Sequence, residues 1–238
     1  MAKRQNMVEK AYQILSDKIL RFELFPGQIV SDHLLCQDLG MSRTPVREAL
    51  VRLEQDGLVV SCSDRKLMIS QAGIKDLVEI YQARMAIESK AVEILLEEGG
   101  FPREMIEALE RSQEQMRENV ARGDLKGNFA ADDAFHLTFM EYAGNSRLTD
   151  FFKRLRMQSM RARFLSAATQ GWLNQSLAEH DHIIQALKAG EGAAITAAVN
   201  DHLQSAIRNY RNILGGSEEQ MGIANVLLMM NARQDTPQ

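Results

Sequence analysis

The sequence predicts a mainly α-helical protein, in which a small N-terminal α/β unit is followed by an all-α antiparallel helical bundle. Apolar residues recur with helical spacing from residue 72 to residue 214, where glycine-containing turns separate about six helices. Short extended stretches occur only between residues 58 and 70. The 238 residues therefore divide into 1–71, 72–214 and a tail, 215–238, whose apolar run "MGIANVLLMM" predicts a further short helix.

The composition is that of an ordinary globular protein, with 45% hydrophobic and 25% charged residues. No apolar run approaches the roughly 20 residues of a membrane span, and the N-terminus lacks the apolar core of a signal peptide. Cys36 and Cys62 are too few for a disulfide framework or a thiolate zinc cluster. We therefore expect a cytoplasmic protein without a membrane partner.

The charge distribution gives little support to indiscriminate binding of nucleic acid. The net charge is −4, and residues 1–70 carry 10 basic against 9 acidic residues, compared with 18 against 23 in the remainder. Any case for DNA binding must therefore depend on the positions of individual arginines.

The N-terminal unit is predicted to contain three helices, at about residues 5–22, 31–39 and 42–57. Gly40 provides the turn between the second and third helices, and Pro45 falls in the first turn of the third, where a missing N–H costs nothing. The stretches "LVVSC" and "KLMIS" then predict a hairpin around the polar turn "SDR". This order of elements is that of a winged helix-turn-helix.

The third helix, "RTPVREALVRLEQDG", carries basic residues on one face and apolar residues on the other. Arg43 and Arg47 are one turn apart, with Thr44 beside them. An arginine placed in the major groove reads guanine with about 1–3 kcal/mol of discrimination. The hairpin, with Arg65 and Lys66, would be a wing that contacts phosphates or the minor groove.

A solvated amphipathic helix is the alternative interpretation, because the charges of this segment alternate in sign. Periodicity alone does not separate the two interpretations. The order of helix, turn, capped helix and hairpin favours DNA binding.

The stretch "MSRTPVREALVRLEQDGLV" closely resembles the recognition segment of GntR-family bacterial transcription regulators, and "PGQIVSDHLLCQDLG" resembles the helix before it. The resemblance implies DNA contact by Arg43, Thr44 and Arg47, and a phosphate contact by Arg52. This sequence departs from the family at His33, where many members have arginine, and in its wing, which lacks the usual glycine at the tip.

Polar residues interrupt the apolar stripes of four helices in the C-terminal bundle. Arg84 is the charged member of the stripe that runs from Leu77 to Ile94. Three further stripes contain the remaining interruptions, which are Asp132, His136, His180 and His202. His182 falls instead on a polar face. Because a buried charge without a partner costs several kcal/mol, roughly, these residues are expected to be paired or to bind a ligand.

Asp132 and His136 are four residues apart and face the same way, as in a two-ligand metal clip. With His180 and His202 they would give three imidazoles and one carboxylate, a set that suits Zn²⁺, Ni²⁺, Mn²⁺ or Fe²⁺ and leaves positions open for an oxygen ligand. A histidine–aspartate hydrogen-bond network is an equal alternative, and Asp133 competes with Asp132 for the carboxylate role.

The segments "DDAFH", "EHDHIIQAL" and "NDHL" resemble the metal-binding class of FCD domains, the effector domains of the FadR subfamily within the GntR family. The resemblance spans about residues 8–212 and implies Asp132, His136, His180 and His202 as ligands of a divalent metal ion, with Zn²⁺ or Ni²⁺ favoured over Mn²⁺ or Fe²⁺. It also implies Arg84 as the partner of a small carboxylate effector.

The preferred hypothesis is a homodimeric transcription factor that binds a pseudo-palindromic operator in double-stranded DNA and responds to this effector. A metal-dependent hydrolase is the rival hypothesis, because three histidines and a carboxylate can activate water. A helical binding module with a structural histidine core is the third.

Overall fold

The computed structural model describes residues 2–20, 23–62, 66–70, 73–167 and 171–214. The chain divides into two compact units, the first reaching Gly73 and the second beginning at Ile74. The wing residue Arg65 and the predicted tail helix lie outside the described residues. No helix in the described part of the chain is long and apolar enough to cross a membrane.

The first unit contains three helices and a three-stranded antiparallel sheet. Its elements are α1 (Ala2–Leu20), β1 (Ile29–Val30), α2 (Asp32–Leu39), α3 (Arg43–Gln55), β2 (Val59–Ser61) and β3 (Leu67–Ile69). The sheet order is β1-β3-β2, with Val30 opposite Leu67 and Val59 opposite Ile69. The hairpin is present as predicted, whereas β1 was not predicted, because two residues are too few to show alternation.

The helix-turn-helix forms because α2 and α3 meet at a left-handed turn. Gly40 ends α2 with φ of 60°, and its N–H donates to the carbonyls of Cys36 and Gln37. Ser31 and Ser42 stand at the N-cap positions of α2 and α3, yet neither makes a side-chain capping bond in the described structure.

The apolar face of α3 is the centre of the first unit, and it packs against α1. Leu53 is fully buried there, with Val46, Ala49 and Leu50 on the same face. At the end of the interface the Tyr12 hydroxyl donates to Asp56 Oδ2 at 2.6 Å. The packing fixes which face of α3 remains exposed.

Replacing Leu53 by alanine is expected to destabilise the first unit by about 2–5 kcal/mol, because it removes buried methyl groups and leaves a cavity. Val51 lies two residues away and is 54% exposed, so Val51→Ala is the matched control. Urea unfolding followed by circular dichroism checks the prediction. Equal midpoints for the two variants would contradict the assigned packing.

The second unit consists, within its described residues, of six helices. They are α4 (Ile74–Glu97), α5 (Arg103–Arg122), α6 (Leu125–Tyr142), α7 (Ser146–Ala167), α8 (Trp172–Ala189) and α9 (Gly192–Leu214). Helix α4 packs against α6, α7 and α9, and α8 packs against α5 and α9. The predicted helical bundle is thus present, and the faces of α4, α6, α7, α8 and α9 converge on one interior.

The buried face of α4 differs from the predicted stripe. It includes Tyr81, Arg84 and Glu88, whereas Ile80 and Ile87 are only half-buried. The predicted stripe contained Arg84 as its charged member, whereas the buried face contains Glu88 as well. Glu88 is 1% exposed, and its partners explain why a carboxylate is tolerated there.

Candidate metal centre

The N-terminal residues of α3 present a polar, basic face to solvent. Arg43, Thr44 and Arg47 are all exposed, and the Arg47 side chain is 73% accessible. Asp32 Oδ2 lies 4.0 Å from its Nε. These three residues are therefore free to reach an external partner while the opposite face of the helix is held in the core.

The other predicted DNA contacts differ in their surroundings. His33 on α2 and Lys66 before β3 are exposed. Arg52 lies near the C-terminal end of α3, where its Nη1 contacts Glu9 Oε2 at 2.6 Å and its guanidinium stacks 3.9 Å from the centroid of the Tyr12 ring. Arg52 thus links α3 to α1, and its phosphate contact stays a prediction.

The four predicted ligand residues come together inside the second unit. Asp132 and His136 lie one turn apart on α6, His180 lies on α8 and His202 on α9, and all four are buried. One potential ligand atom from each lies within 4.8 Å of the other three. His182 is exposed and outside the group, as its polar face predicted.

Two further carboxylates contact the Nδ1 atoms of two of the three histidines and thereby orient their rings. Glu88 Oε2 lies 2.7 Å from His136 Nδ1, and Glu179 Oε2 lies 2.9 Å from His202 Nδ1. Each carboxylate accepts a hydrogen bond from the Nδ1–H group, so the lone pair of Nε2 stays available for a metal. This is the usual arrangement around a metal-binding histidine. Sequence reasoning missed both carboxylates.

The unpaired ring nitrogens of the histidines are suitable ligands for a divalent metal ion. Three buried imidazole nitrogens, His136 Nε2 and both nitrogens of His180, have no hydrogen-bond partner within the described structure. Asp132 Oδ1 lies 4.0 Å from His136 Nε2 and 3.6 Å from His180 Nε2. Two ligands of one ion, each at about 2.0–2.1 Å, stand at most about 4.2 Å apart, so small side-chain rotations would bring all four atoms onto a metal.

The protonation states also suit metal ligation. Burial lowers the pKa of His180 well below its usual value and lowers that of His202, so both imidazoles are neutral near pH 7. Burial alone would raise the pKa of Asp132, but Arg163 and Arg156 hold it well below its usual range. A divalent cation needs neutral imidazoles and an ionised carboxylate, and His180, His202 and Asp132 meet this requirement.

A pair of buried arginines on α7, which sequence reasoning also missed, holds the outer side of Asp132. Its Oδ2 atom accepts from Arg156 Nη2 at 2.7 Å and from Arg163 Nη2 at 2.6 Å. Asp133 pairs with the same two arginines. Asp133 is therefore engaged by α7, and Asp132 Oδ1 is the carboxylate atom that faces the histidines.

Arg84 joins this network through Glu88. Its Nε donates to Glu88 Oε1 at 2.7 Å, while the other oxygen of the same carboxylate contacts His136. Burial opposes ionisation of Glu88, yet Arg84 and His136 lower its pKa to about 2. The predicted effector residue and a predicted metal ligand thus share one buried carboxylate.

A cavity of about 30 Å³ lies beside the cluster. Its walls include Asp132, His202 and all three buried arginines, together with Tyr81 and Tyr210, whose hydroxyls lie 2.8 Å apart. Trp172, Leu173 and Ser176 from the start of α8 close another side. The volume is about that of one water molecule, so a larger guest requires a wall to move.

Replacing Glu88 by glutamine is expected to weaken metal affinity by about 10–100-fold, because the neutral amide orients His136 less firmly and makes it a poorer ligand. Glu93→Gln is the matched control, since Glu93 lies on the same helix, is exposed and pairs only with solvent-accessible Lys90 in the contacts described. Competition for Zn²⁺ against a chromophoric chelator measures the effect. Equal zinc affinities for both variants would contradict the role of Glu88.

Comparison with protein-family models gives two adjoining matches. Residues 7–65 match the family of bacterial regulatory proteins named gntR, and residues 79–205 match the FCD domain. The second match alone covers more than half of the chain and contains every residue of the candidate metal centre.

Curated relatives are named as transcriptional regulators. The chain is 34% identical over 137 residues to an HTH-type transcriptional regulator from the TAR-I ttuE-ttuC' intergenic region of Agrobacterium vitis, covering 57% of this chain and 80% of that protein. It is 27% identical over 213 residues to the HTH-type transcriptional repressor RspR of Escherichia coli, covering 88% of this chain and 91% of that protein. These regulators argue against the hydrolase hypothesis.

Solved structures share the fold. Escherichia coli McbR/YncC matches with a TM-score of 0.71 at 21% identity, over 87% of this chain and 97% of that one. A GntR regulator from Rhodococcus sp. RHA1 matches with a TM-score of 0.72 at 22% identity, over 89% of this chain and 99% of that one. The chain therefore belongs to the GntR family of bacterial regulatory proteins, as a transcriptional regulator with an N-terminal helix-turn-helix and a C-terminal FCD domain.

Proposed function

We propose that this regulator is a homodimer whose binding to a pseudo-palindromic operator is controlled by a small carboxylate effector at a metal-containing site in the FCD domain. It would act in the cytoplasm, with residues 1–71 as the DNA-binding domain and 72–214 as the effector and dimerisation domain. The observation that carries the proposal is the buried cluster of Asp132 and three histidines, whose free nitrogens lie beside an arginine-lined cavity.

The DNA contacts follow from the exposed end of α3. Arg43, Thr44 and Arg47 would enter the major groove, while His33, Lys66 and Arg65 would contact the DNA around it, and Arg52 a phosphate. A twofold dimer presents two such helices to half-sites about one helical turn, or a multiple of one turn, apart. This is why we propose a pseudo-palindromic operator.

The metal and Arg84 would receive the effector together. Three imidazoles and one carboxylate suit Zn²⁺ or Ni²⁺ and leave coordination positions open. Because the cavity of about 30 Å³ is too small for an organic acid, binding would displace the α8 wall formed by Trp172, Leu173 and Ser176. A moving wall gives the effector differential affinity for two arrangements, and a coupling free energy of about 1–3 kcal/mol between two sites is typical of allosteric proteins.

Footprinting of the purified, zinc-loaded protein on DNA upstream of neighbouring genes tests the proposal. We expect protection of a twofold-symmetric site, one metal ion per chain by elemental analysis, and a dimer by analytical ultracentrifugation. Binding that follows salt concentration but shows no sequence preference would contradict the DNA-binding part. A folded protein without bound metal after zinc loading would contradict the metal part.

A further inference from the structure

An acidic residue lies on the side of the helix-turn-helix that carries the proposed DNA contacts. Asp32 is the first residue of α2, and its Oδ2 atom lies 4.0 Å from Arg47 Nε. His33 follows it in the chain, and Lys66 lines with it a groove of about 560 Å³ between α3 and the sheet. A carboxylate in this place repels the phosphates that the surrounding basic residues would attract, so its position needs an explanation.

Two structural roles of Asp32 account for its presence only in part. A carboxylate in the first turn of a helix is favoured by the helix dipole, and Asp32 lies in the first turn of α2. Its ion pair with Arg47 joins side chains that are 40% and 73% accessible, and such a pair contributes little to stability because water and salt screen it. Neither role involves DNA, so each predicts an effect on melting temperature and none on the choice of DNA sequence.

DNA changes the interaction between the two charges. An arginine that pairs with guanine O6 and N7 contacts neutral acceptors, so the base does not neutralise its positive charge. The DNA also excludes part of the surrounding water, and the attraction between the Asp32 carboxylate and the Arg47 guanidinium becomes stronger than in the free protein. On a non-specific duplex Arg47 would pair with a phosphate instead, and Asp32 would repel that phosphate. Asp32 therefore favours the base-reading arrangement over the phosphate-bound one.

We infer that Asp32 is a specificity-determining residue of the DNA-binding domain, which directs the Arg47 guanidinium to a guanine and away from the phosphates. It is a positioning residue, because it acts through Arg47 and needs no contact with DNA. The inference rests on the proposed function, in which Arg47 enters the major groove.

Asp32→Asn tests the inference, because asparagine keeps the size of the side chain and removes its charge. Fluorescence anisotropy on the footprinted operator and on a scrambled duplex of equal length gives the ratio of scrambled Kd to operator Kd. We expect this ratio to fall by at least about fivefold, the lower end of the discrimination from one arginine–guanine pair, mainly through tighter binding to the scrambled duplex. The slope of log Kd against log salt on that duplex is expected to steepen by up to about 0.9, the value for one added phosphate contact.

Asp38→Asn is the matched control for the change in net charge. Asp38 lies on the same helix, its side chain is 52% accessible, and it pairs with Lys18 at 3.0 Å instead of with Arg47. We expect its Kd ratio to equal that of wild type. Asp32→Glu keeps the charge and is expected to retain most of the discrimination.

A double-mutant cycle with Arg47→Ala tests whether Asp32 acts through Arg47. In the Arg47→Ala background, Asp32→Asn is expected to leave the Kd ratio unchanged. An equal fall of the ratio with and without Arg47 would overturn the inference. So would an Asp32→Asn protein that binds both duplexes more tightly by the same factor, because that result needs only a general loss of repulsion.

The outcomes separate this inference from the proposed function. A wild-type protein that binds operator and scrambled duplexes equally overturns both. A wild-type preference that Arg47→Ala reduces and Asp32→Asn preserves overturns the inference alone and leaves a sequence-specific regulator. A change confined to the melting temperature of Asp32→Asn also overturns the inference, because it is the result expected from a purely structural role in α2.

Discussion

Replacing His180 by alanine is expected to abolish stoichiometric metal binding. His180 is fully buried, and both of its ring nitrogens lack a hydrogen-bond partner in the described part of the chain, so its structure is explained best by a metal. Removal of a carboxylate behind a ligand costs about 10–100-fold in affinity, and removal of a ligand itself costs more. Elemental analysis after dialysis against a weak chelator measures the loss.

His182→Ala is the control for this prediction. It removes the same side chain two residues away on α8, from an exposed position outside the cluster. His180→Gln serves as a second variant, because glutamine is closer in size to histidine and limits the cavity left behind. Retention of one metal per chain in a folded His180→Ala or His180→Gln protein would contradict the assigned ligand set.

Replacing Arg47 by alanine is expected to weaken operator binding by about 10–100-fold, which corresponds to about 1–3 kcal/mol for a lost base contact. Arg47 projects from the first turns of α3, its side chain is 73% exposed, and Asp32 Oδ2 lies 4.0 Å from its Nε. Its loss therefore removes an external contact and leaves the core intact. Fluorescence anisotropy on operator and scrambled duplexes provides the measurement.

Arg103→Ala controls for the change in net charge. Arg103 belongs to α5 of the FCD domain, where its side chain is 88% exposed and pairs with Glu107. We expect it to bind operator with wild-type affinity. An equal loss of affinity by Arg47→Ala on operator and scrambled DNA would identify a phosphate contact instead of base readout. No loss on either duplex would contradict the placement of α3 in the groove.

Much of the fold is predictable from the sequence because helices and turns are encoded locally. Apolar spacing and the breaks near Gly123 and Gly190 located the helices of the FCD domain, and both glycines do adopt the left-handed conformation that ends a helix. The four candidate ligands were found because each polar residue interrupted an apolar stripe. The two-residue strand β1 is stabilised by pairing with β3, and no local pattern reveals it.

The remaining parts of the site depend on contacts between helices. Glu88 lies outside the predicted apolar stripe of α4, although its i, i+4 spacing from Arg84 was a usable signal for an ion pair. Arg156 and Arg163 are tolerated in the interior because α6 supplies Asp132 and Asp133. Sequence periodicity treats such arginines as solvated, since their partners lie on a different helix.

We propose that a metal-centred carboxylate site in the FCD domain controls DNA binding by the helix-turn-helix. The most direct test is the affinity for operator DNA, measured with and without a saturating organic acid that binds the zinc-loaded protein, in zinc-loaded wild type and in His180→Ala. We predict that the acid changes the operator Kd of wild type by about 5–150-fold and leaves that of His180→Ala unchanged. An equal change in operator Kd in both proteins would contradict this proposal. So would a wild-type operator Kd that stays the same when an acid is bound to the protein.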